Sequence, residues 1–146
     1  MKNQLRKVKK YISILEQSRW KNIVKTNDLT VCPCAYKKGN TPPPLESFTP
    51  ISHGGIWGNG IDSHAWFHFT VDEVNANTYL GIQTDKKGWD ANNPQFIIYA
   101  NGIQKQGLDT NHRQVYIGDL TAPVDVYLYA YVGMISEYAA ILTDKR

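Results

Sequence analysis

The chain has 146 residues, of which 42% are hydrophobic and 20% charged, and this composition excludes a wholly disordered protein. Its length suits one domain that buries a core without metal or disulfide support, and no stretch approaches the roughly 20 apolar residues of a membrane-spanning helix. The net charge of +3 is concentrated at the start: residues 1–25 hold eight Lys or Arg and one acid, whereas residues 26–146 hold eight basic and twelve acidic residues.

Residues 1–21 are predicted to form a basic amphipathic helix. Leu5, Val8, Ile12 and Leu15 follow each other at helical spacing and form one apolar stripe. A helix of this length is marginal in water by itself, so we expect the stripe to pack on the rest of the domain or on a second copy of the chain, giving a homo-oligomer. The leader lacks interleaved aromatic residues and the remainder is acidic, which disfavours a nucleic-acid-binding protein.

Residues 22–52 are predicted to be a Pro-rich irregular connection. Pro33 and the run Pro42-Pro43-Pro44 favour extended backbone without regular hydrogen bonds. A disulfide between Cys32 and Cys34 would be badly strained across Pro33, and two cysteines are too few for a structural zinc site. We therefore expect reduced thiols in a cytoplasmic protein, which agrees with the missing apolar segment of a secretory signal.

Residues 53–146 show the two-residue period of β-strands. Trp66–Val71 places Phe67 and Phe69 on one face, and Val124–Val132 alternates apolar residues with Tyr127, Tyr129 and Tyr131. Further strands are predicted at Thr78–Gln83, Phe96–Ala100, Val115–Ile117 and Glu137–Leu142, with a turn at Asn101-Gly102. Turn signals every eight to twelve residues or so favour an antiparallel β-sandwich. The tyrosine stripe needs a cover, either the basic helix or another domain.

Few residues suggest chemistry by themselves. His64 and His68 would share a strand face roughly 13 Å apart, which is too far to chelate one metal ion. Asp62, Asp109 and Asp119 could supply the paired carboxylates of a glycosidase, but the sequence does not bring two of them together. Trp57 and Trp89 are candidate platforms for a sugar, with burial against the core as the alternative for a tryptophan in a loop.

One segment is more specific than composition. Phe96–Val115 contains an apolar strand, the Asn101-Gly102 turn and the element Gln-Gly-Leu-Asp-Thr-Asn-His at residues 106–112. This segment resembles the N-terminal region of glycoside hydrolase family 38 α-mannosidases, and Gly55–Gly58 with Ala65–Phe67 is similar to the Trp-Gly and Trp-Phe motifs of that region. The resemblance covers roughly residues 48–132, and the helical leader fits it loosely.

The resemblance implies a non-catalytic N-terminal domain, a galactose-binding-domain-like jelly roll, of a zinc-dependent retaining α-mannosidase acting on mannose-containing glycans. The zinc ligands and the nucleophile of that family lie in a later catalytic domain. No catalytic or metal-binding residue carries over to this chain, which we expect to be an inactive domain of a longer protein, with no cofactor and no membrane or nucleic-acid partner of its own. The alternative is an independent carbohydrate-binding module.

The resemblance also suggests where the domain meets its own catalytic domain. The expected docking loop contains residues of the Asn101–Arg113 segment: Asn101, Gly102, Gln106, Gly107, Leu108, Asp109, His112 and Arg113. Asp109 and His112 are three residues apart, so one turn could bring the carboxylate and the imidazole within hydrogen-bonding distance. The alternative is that Asp109 only caps the turn.

Overall fold

The computed structural model of the chain describes residues 2–19, 24–35, 41–58, 62–83, 94–133 and 139–145, with the backbone alone for 13–19 and 139–145. An N-terminal helix, α1 (Lys2–Arg19), precedes strands that form two antiparallel sheets. The predicted class, a β-sandwich preceded by a helix, is confirmed. The described strands are β1 (Val24–Lys25), β2 (Asn27–Cys34), β3 (Thr49–Pro50), β4 (Gly55–Trp57), β5 (Ser63–Val71), β6 (Tyr79–Gln83), β7 (Gln95–Ala100), β8 (Ile103–Leu108), β9 (Gln114–Tyr116), β10 (Val124–Val132) and β11 (Ala139–Lys145).

The sheets bring together strands that are distant in sequence. The first sheet has the order β1-β11-β6-β9, and β4 also pairs with β11. The second sheet has the order β3-β2-β5-β10-β7-β8. In the first sheet, the pairing of β1 with β11 places Val24 opposite Lys145, so the start and end of the described sandwich are neighbours. In the second, β5 and β10 pair along their full lengths, from Val124 opposite Val71 to Val132 opposite Ser63.

The core lies between the two sheets. Alternate residues of β5 and β10 point inward, so Phe67, Phe69 and Leu128 are fully buried. Leu80 and Ile82 of β6 meet them from the other sheet. This two-sided apolar layer is the arrangement that the two-residue sequence period predicts for a sandwich. The residues of the second sheet that alternate with the buried ones point the other way and form its outer face.

The prediction that residues 22–52 form an irregular connection is wrong where the chain forms β1, β2 and β3. Asn27–Cys34 pairs with β5 and buries Leu29 and Val31 in the core. Pro33 is tolerated in this strand because β3 pairs only with Thr30 and Val31, which leaves the Pro33 position without a described strand on its second side. The Pro42–Pro44 run is confirmed to lie outside regular structure, and a short 3₁₀ helix, Leu45–Ser47, follows it.

The predicted helix is confirmed, but part of its predicted packing is wrong. The side chains of Leu5, Val8 and Ile12 are 57%, 55% and 50% exposed, so the sandwich does not bury them. Their spacing still gives one stripe on the helix surface. The side chain of Leu15, the fourth predicted member of the stripe, lies outside the described residues. Packing of this stripe against a second copy of the chain stays a prediction. No helix among the described residues is long and apolar enough to cross a membrane.

Deleting residues 2–12 is expected to change the melting temperature by less than about 3 °C, because their side chains are exposed and contribute little to stability. The measurement is thermal unfolding at a concentration where the chain is monomeric by light scattering. The same deletion is expected to abolish any concentration-dependent change in elution volume. A fall in melting temperature of about 10 °C or more in the monomer would contradict the exposed position of the stripe.

Candidate functional site

The outer face of the second sheet carries a cluster of aromatic side chains. Trp66 lies at its centre, with ring centroids 5.2 Å from Tyr129, 5.7 Å from Tyr99 and 6.4 Å from Tyr127. Trp66 is buried although it points away from the core, since the neighbouring tyrosines surround it. Desolvation raises the pKa of Tyr99 above its ordinary value. The face therefore has an apolar interior and hydroxyl groups at its surface.

One end of this aromatic face is covered by the segment that follows the prolines. The Phe48 ring lies 6.0 Å from His68 and 6.1 Å from Tyr127, both edge-on. His68 Nε2 lies 2.6 Å from Asp125 Oδ1. Desolvation, with a smaller effect of the Asp125 charge, raises the pKa of Tyr127. Among the described residues it is thus Phe48, rather than the basic helix, that packs on the tyrosine stripe at this end.

The opposite end of the face opens into a cleft of about 740 Å³. Four strand ends form it: the start of β5, the start of β7, the end of β8 and the end of β10. The register explains the convergence, because Tyr131 of β10 lies between His64 and Gln95 of the neighbouring strands. The cleft is lined by Asp62, His64, Gln95, Phe96, Ile97, Gly107, Leu108, Asp109, Tyr129 and Tyr131.

Hydrogen bonds fix the polar groups of the cleft. The Tyr131 hydroxyl donates to Asp62 Oδ1 over 2.8 Å, and this bond raises the pKa of Tyr131. The Tyr129 hydroxyl lies 2.6 Å from His64 Nδ1. The His64 ring is also 4.8 Å from the ring of Tyr131, at 35° between the planes. Two tyrosines and a histidine therefore form one ordered aromatic wall, with a carboxylate at its edge.

The Asp109–His112 turn borders the cleft and is held by the Asp109 carboxylate. Asp109 Oδ1 accepts hydrogen bonds from the backbone N–H groups of Asn111 and His112, both at 2.7 Å. The same oxygen lies 3.1 Å from His112 Nδ1, and the Asp109 N–H donates to the His112 carbonyl. Both sequence-based alternatives thus hold at once: Asp109 caps the turn and pairs with the imidazole. The His112 side chain is 75% exposed.

The predicted docking residues do not form one surface. Asn101 and Gly102 make the β7–β8 turn, where Asn101 Oδ1 accepts from the Asp125 N–H and Asn101 Nδ2 donates to the Thr121 carbonyl. Asp109 and His112 follow the opposite end of β8, roughly 20 Å away for a strand of this length. A single flat contact would have to span both ends.

The remaining predicted docking residues are mostly buried or hydrogen-bonded within the domain. Leu108 is buried in the core. Gln106 Nε2 donates to the Gln114 carbonyl, and Arg113 Nε donates to the Thr110 carbonyl. The first bond joins β8 to β9, and the second lies within the loop between them. Three of the predicted docking residues line the cleft: Gly107, Asp109 and the buried Leu108. His112 lies next to the cleft.

The two predicted tryptophan platforms have different outcomes. Trp57 is 4% exposed, and its ring centroid lies 5.4 Å from Phe67 and 6.3 Å from Phe96. Trp57 is therefore a core residue, which cannot offer its ring face to a sugar. Trp89 lies outside the described residues. The sequence predicts that the tyrosine stripe of the outer face needs a cover, but it does not indicate that Tyr129 and Tyr131 line a cleft.

The structure brings two of the candidate carboxylates to one cleft. Asp62 and Asp109 both line it, whereas Asp119 pairs with Lys105 Nζ at 3.0 Å elsewhere. The backbone N–H of His112, followed by that of Asn111, lowers the pKa of Asp109. Asp109 is thus ionised at neutral pH, the opposite of what a glycosidase general acid requires. Within the described part of the chain, no three His, Cys, Asp or Glu residues form a metal-binding group.

We expect the Asp109 carboxyl to titrate below its ordinary value of 3.8. Because its pKa is depressed in the folded state, the carboxylate stabilises the turn above about pH 4, and this contribution is lost as the pH falls through the lowered pKa. A ¹³C NMR titration of the carboxyl resonance measures this directly. The His112→Ala variant is expected to keep most of the lowering of the Asp109 pKa, because hydrogen bonds from backbone N–H groups are its largest cause. A wild-type midpoint at or above 3.8 would contradict this geometry.

Comparison with known proteins finds no matching family model, no matching curated protein and no matching solved structure.

Proposed function

We propose that this chain is the non-catalytic N-terminal β-sandwich domain of a zinc-dependent family 38 α-mannosidase. In this proposal the domain packs against the catalytic domain of the same protein and supports it. The zinc ion, the nucleophile and the hydrolysis of terminal α-mannosyl linkages in glycans belong to that catalytic domain. The resemblance of residues 106–112 to the family supports the proposal, and the β-sandwich with its preceding helix agrees with it.

The observation that carries the proposal is the structure of the Asp109–His112 turn. The second half of the segment that bears the resemblance, Asp109–His112, is an exposed turn, and its own hydrogen bonds hold its shape. The Asp109 carboxylate accepts hydrogen bonds within the turn, whereas the His112 imidazole is exposed. A turn that is ordered before binding loses little conformational entropy when it docks, which favours a role in contacting another domain.

The proposal includes a cytoplasmic location for the protein. Cys32 and Cys34 support it, because both lie on β2 and are not joined in a disulfide. Their side chains alternate with Pro33 along the strand, so they project to the same face without a disulfide between them. Reduced thiols of this kind are usual in the cytoplasm. The proposal also retains self-association through α1 as a separate contact, which does not involve the turn.

The test is reconstitution in two pieces. The full chain is mixed with the separately expressed catalytic region of a family 38 α-mannosidase that lacks its own sandwich domain. We expect the chain alone to release no nitrophenol from 4-nitrophenyl α-mannoside. The mixture is expected to co-elute, with a Kd of about 10 µM or tighter, and to hydrolyse the substrate faster than the catalytic region alone.

Two alanine variants locate the contact. His112→Ala is expected to weaken the complex by about tenfold, with the melting temperature of the chain itself within about 1 °C of wild type, because an exposed imidazole adds little stability. Ile103→Ala, at the opposite end of β8, is the control and is expected to bind as wild type does. Absence of any complex, or equal effects of the two variants, would overturn the assigned docking surface.

A further inference from the structure

We propose that the cleft at the open end of the aromatic face is a binding site for a neutral sugar ring. The inference goes beyond the proposed function, because it concerns a ligand bound by this chain itself. The cleft measures about 740 Å³, within the range of roughly 300–1,000 Å³ that small-molecule sites occupy. Trp57 does not line this cleft, which lies on the outer face of the second sheet.

The wall of the cleft has the mixed character that a sugar requires. A pyranose ring has a C–H face that is apolar and a rim of hydroxyl groups. Tyr129, Tyr131 and Ile97 supply apolar surface for such a face. Their neighbours Gln95 and His64 supply polar groups at the same end of the sheet. A purely apolar ligand would displace water from the Gln95 amide without replacing its hydrogen bonds, which is unfavourable.

The acceptors at the edge of the cleft are positioned before a ligand arrives. Tyr131 holds Asp62 Oδ1 through its hydroxyl, and the backbone of the Asp109–His112 turn holds Asp109. An ionised carboxylate has about four lone-pair sites, so Asp62 keeps acceptor capacity beyond its bond to Tyr131. Sugar hydroxyls that donate to a carboxylate form charge-assisted hydrogen bonds, which are stronger than neutral ones. Fixed acceptors reduce the entropy lost on binding.

Gly107 makes room for the ligand. It pairs with Ile97 across β7 and β8, so a side chain at 107 would stand on the same face as Ile97. A Cβ atom added at Gly107 would find only the Phe96 carbonyl oxygen nearby, at 3.7 Å. The position is therefore open, and its lack of a side chain leaves space in the cleft. A larger residue would occupy that space without colliding with the backbone.

The charge of the cleft selects against anions. Among the described lining residues, Asp62 and Asp109 are acidic and none is Lys or Arg. A phosphate or sulfate group would face two carboxylates, with no Lys or Arg among the described lining residues. This disfavours a nucleotide or an acidic sugar and favours an uncharged polyhydroxylated molecule as the ligand.

The experiment is an NMR titration of the full chain with methyl α-mannoside, methyl β-glucoside and methyl β-galactoside, and with mannose 6-phosphate as the anionic comparison. We expect saturable shifts at His64, Ile97 and Tyr129 with at least one neutral glycoside, at a Kd of about 1 mM. Mannose 6-phosphate is expected to bind about tenfold more weakly than methyl α-mannoside. No saturable shift with any neutral glycoside, or shifts confined to other surfaces, would overturn the proposal.

Matched variants tie the binding to the cleft. Gly107→Leu is expected to weaken sugar binding about tenfold, because the new side chain fills the cleft. Gln104→Leu is the control: it adds the same side chain on the same strand, but outside the cleft lining. Its Kd for the sugar is expected to stay within about twofold of wild type. Asp62 has φ +56, a conformation that Asn tolerates, so Asp62→Asn retains the fold. This variant is expected to bind the neutral glycoside several-fold more weakly and to lose the discrimination against mannose 6-phosphate. Wild-type binding by both Gly107→Leu and Asp62→Asn would also overturn the proposal.

The result does not depend on the two-piece reconstitution. Sugar binding is measured on the chain alone, so it can succeed where no complex with a catalytic region forms. Conversely, a complex that forms with a chain unable to bind any glycoside supports the docking role and leaves the cleft as an inter-domain surface. In that case we expect Gly107→Leu to weaken the complex rather than sugar binding, which separates the two proposals.

Discussion

Leu128→Ala is expected to lower the free energy of unfolding by about 3–4 kcal/mol, since a buried leucine loses transfer free energy and leaves a cavity. Leu128 is 0% exposed at the middle of β10, opposite Phe67 of β5 and Ile98 of β7. The cavity is bounded by paired strands on both sides, which limits collapse. Urea unfolding measures the loss, and the melting temperature should fall by roughly 10 °C.

The control for this substitution is Leu45→Ala. Leu45 lies in the 3₁₀ helix and is 53% exposed, so the same loss of side-chain atoms removes little buried surface. We expect a change within about 0.5 kcal/mol. Similar losses at Leu45 and Leu128 would mean that β10 does not lie at the centre of the core.

Gly118→Ala is expected to cost about 2–4 kcal/mol, because an added Cβ has no space. The Cβ would lie 2.6 Å from the Asn75 carbonyl oxygen and 2.8 Å from that of Ala76. These are backbone atoms, and the Tyr116 hydroxyl further fixes the Ala76 carbonyl through a hydrogen bond of 2.8 Å. Relief therefore requires movement of the whole Asn75–Thr78 turn against the end of β9.

Gly107→Ala is the matched control for Gly118→Ala. Its Cβ would meet one oxygen at 3.7 Å, an ordinary van der Waals contact. We expect a change in unfolding free energy within about 1 kcal/mol, with a gain favoured because alanine loses less conformational entropy than glycine on folding. Equal destabilisation at both positions in chemical denaturation would contradict the close approach at Gly118.

The sequence predicts the strands that alternate over many residues. The bounds of β10 are predicted correctly at Val124–Val132, because its apolar and tyrosine faces alternate without interruption. The Asn101-Gly102 turn is also confirmed, with φ +48 and +76, the left-handed values that this pair favours. Long alternation and specific turn residues are local signals, so they can be recognised without knowledge of the tertiary structure.

The missed strands lack such local signals. In β8, Ile103–Leu108 is mostly polar and exposed, since it is the last strand of its sheet and buries mainly Leu108. In β2, Leu29 and Val31 are the only core residues, and Pro33 indicates a break in any strand that has neighbours on both sides. Both strands exist because a neighbouring strand pairs with them, and pairing is a tertiary property that one sequence does not encode locally.

The cleft could be predicted only in part. The Tyr129 and Tyr131 positions follow from the alternation of β10, and His64 follows from that of β5. The joining of Asp62 and Gly107 to this wall depends on the strand order β5-β10-β7-β8, which brings together residues about 45 positions apart. The burial of Trp57 depends likewise on the pairing of the short strand β4 with β11.

The pairing of β1 with β11 has a consequence for how the domain can be connected. Val24 lies opposite Lys145 and Lys25 opposite Asp144, so the polypeptide enters and leaves the sandwich at adjacent points of one sheet. Domains with neighbouring ends tolerate circular permutation. A short glycine-rich linker from Lys145 to Val24, with new ends opened at the exposed Asn101-Gly102 turn, should therefore give a permuted sandwich with the same core. Such a domain can also be inserted as a unit into a surface loop of another protein without stretching either junction.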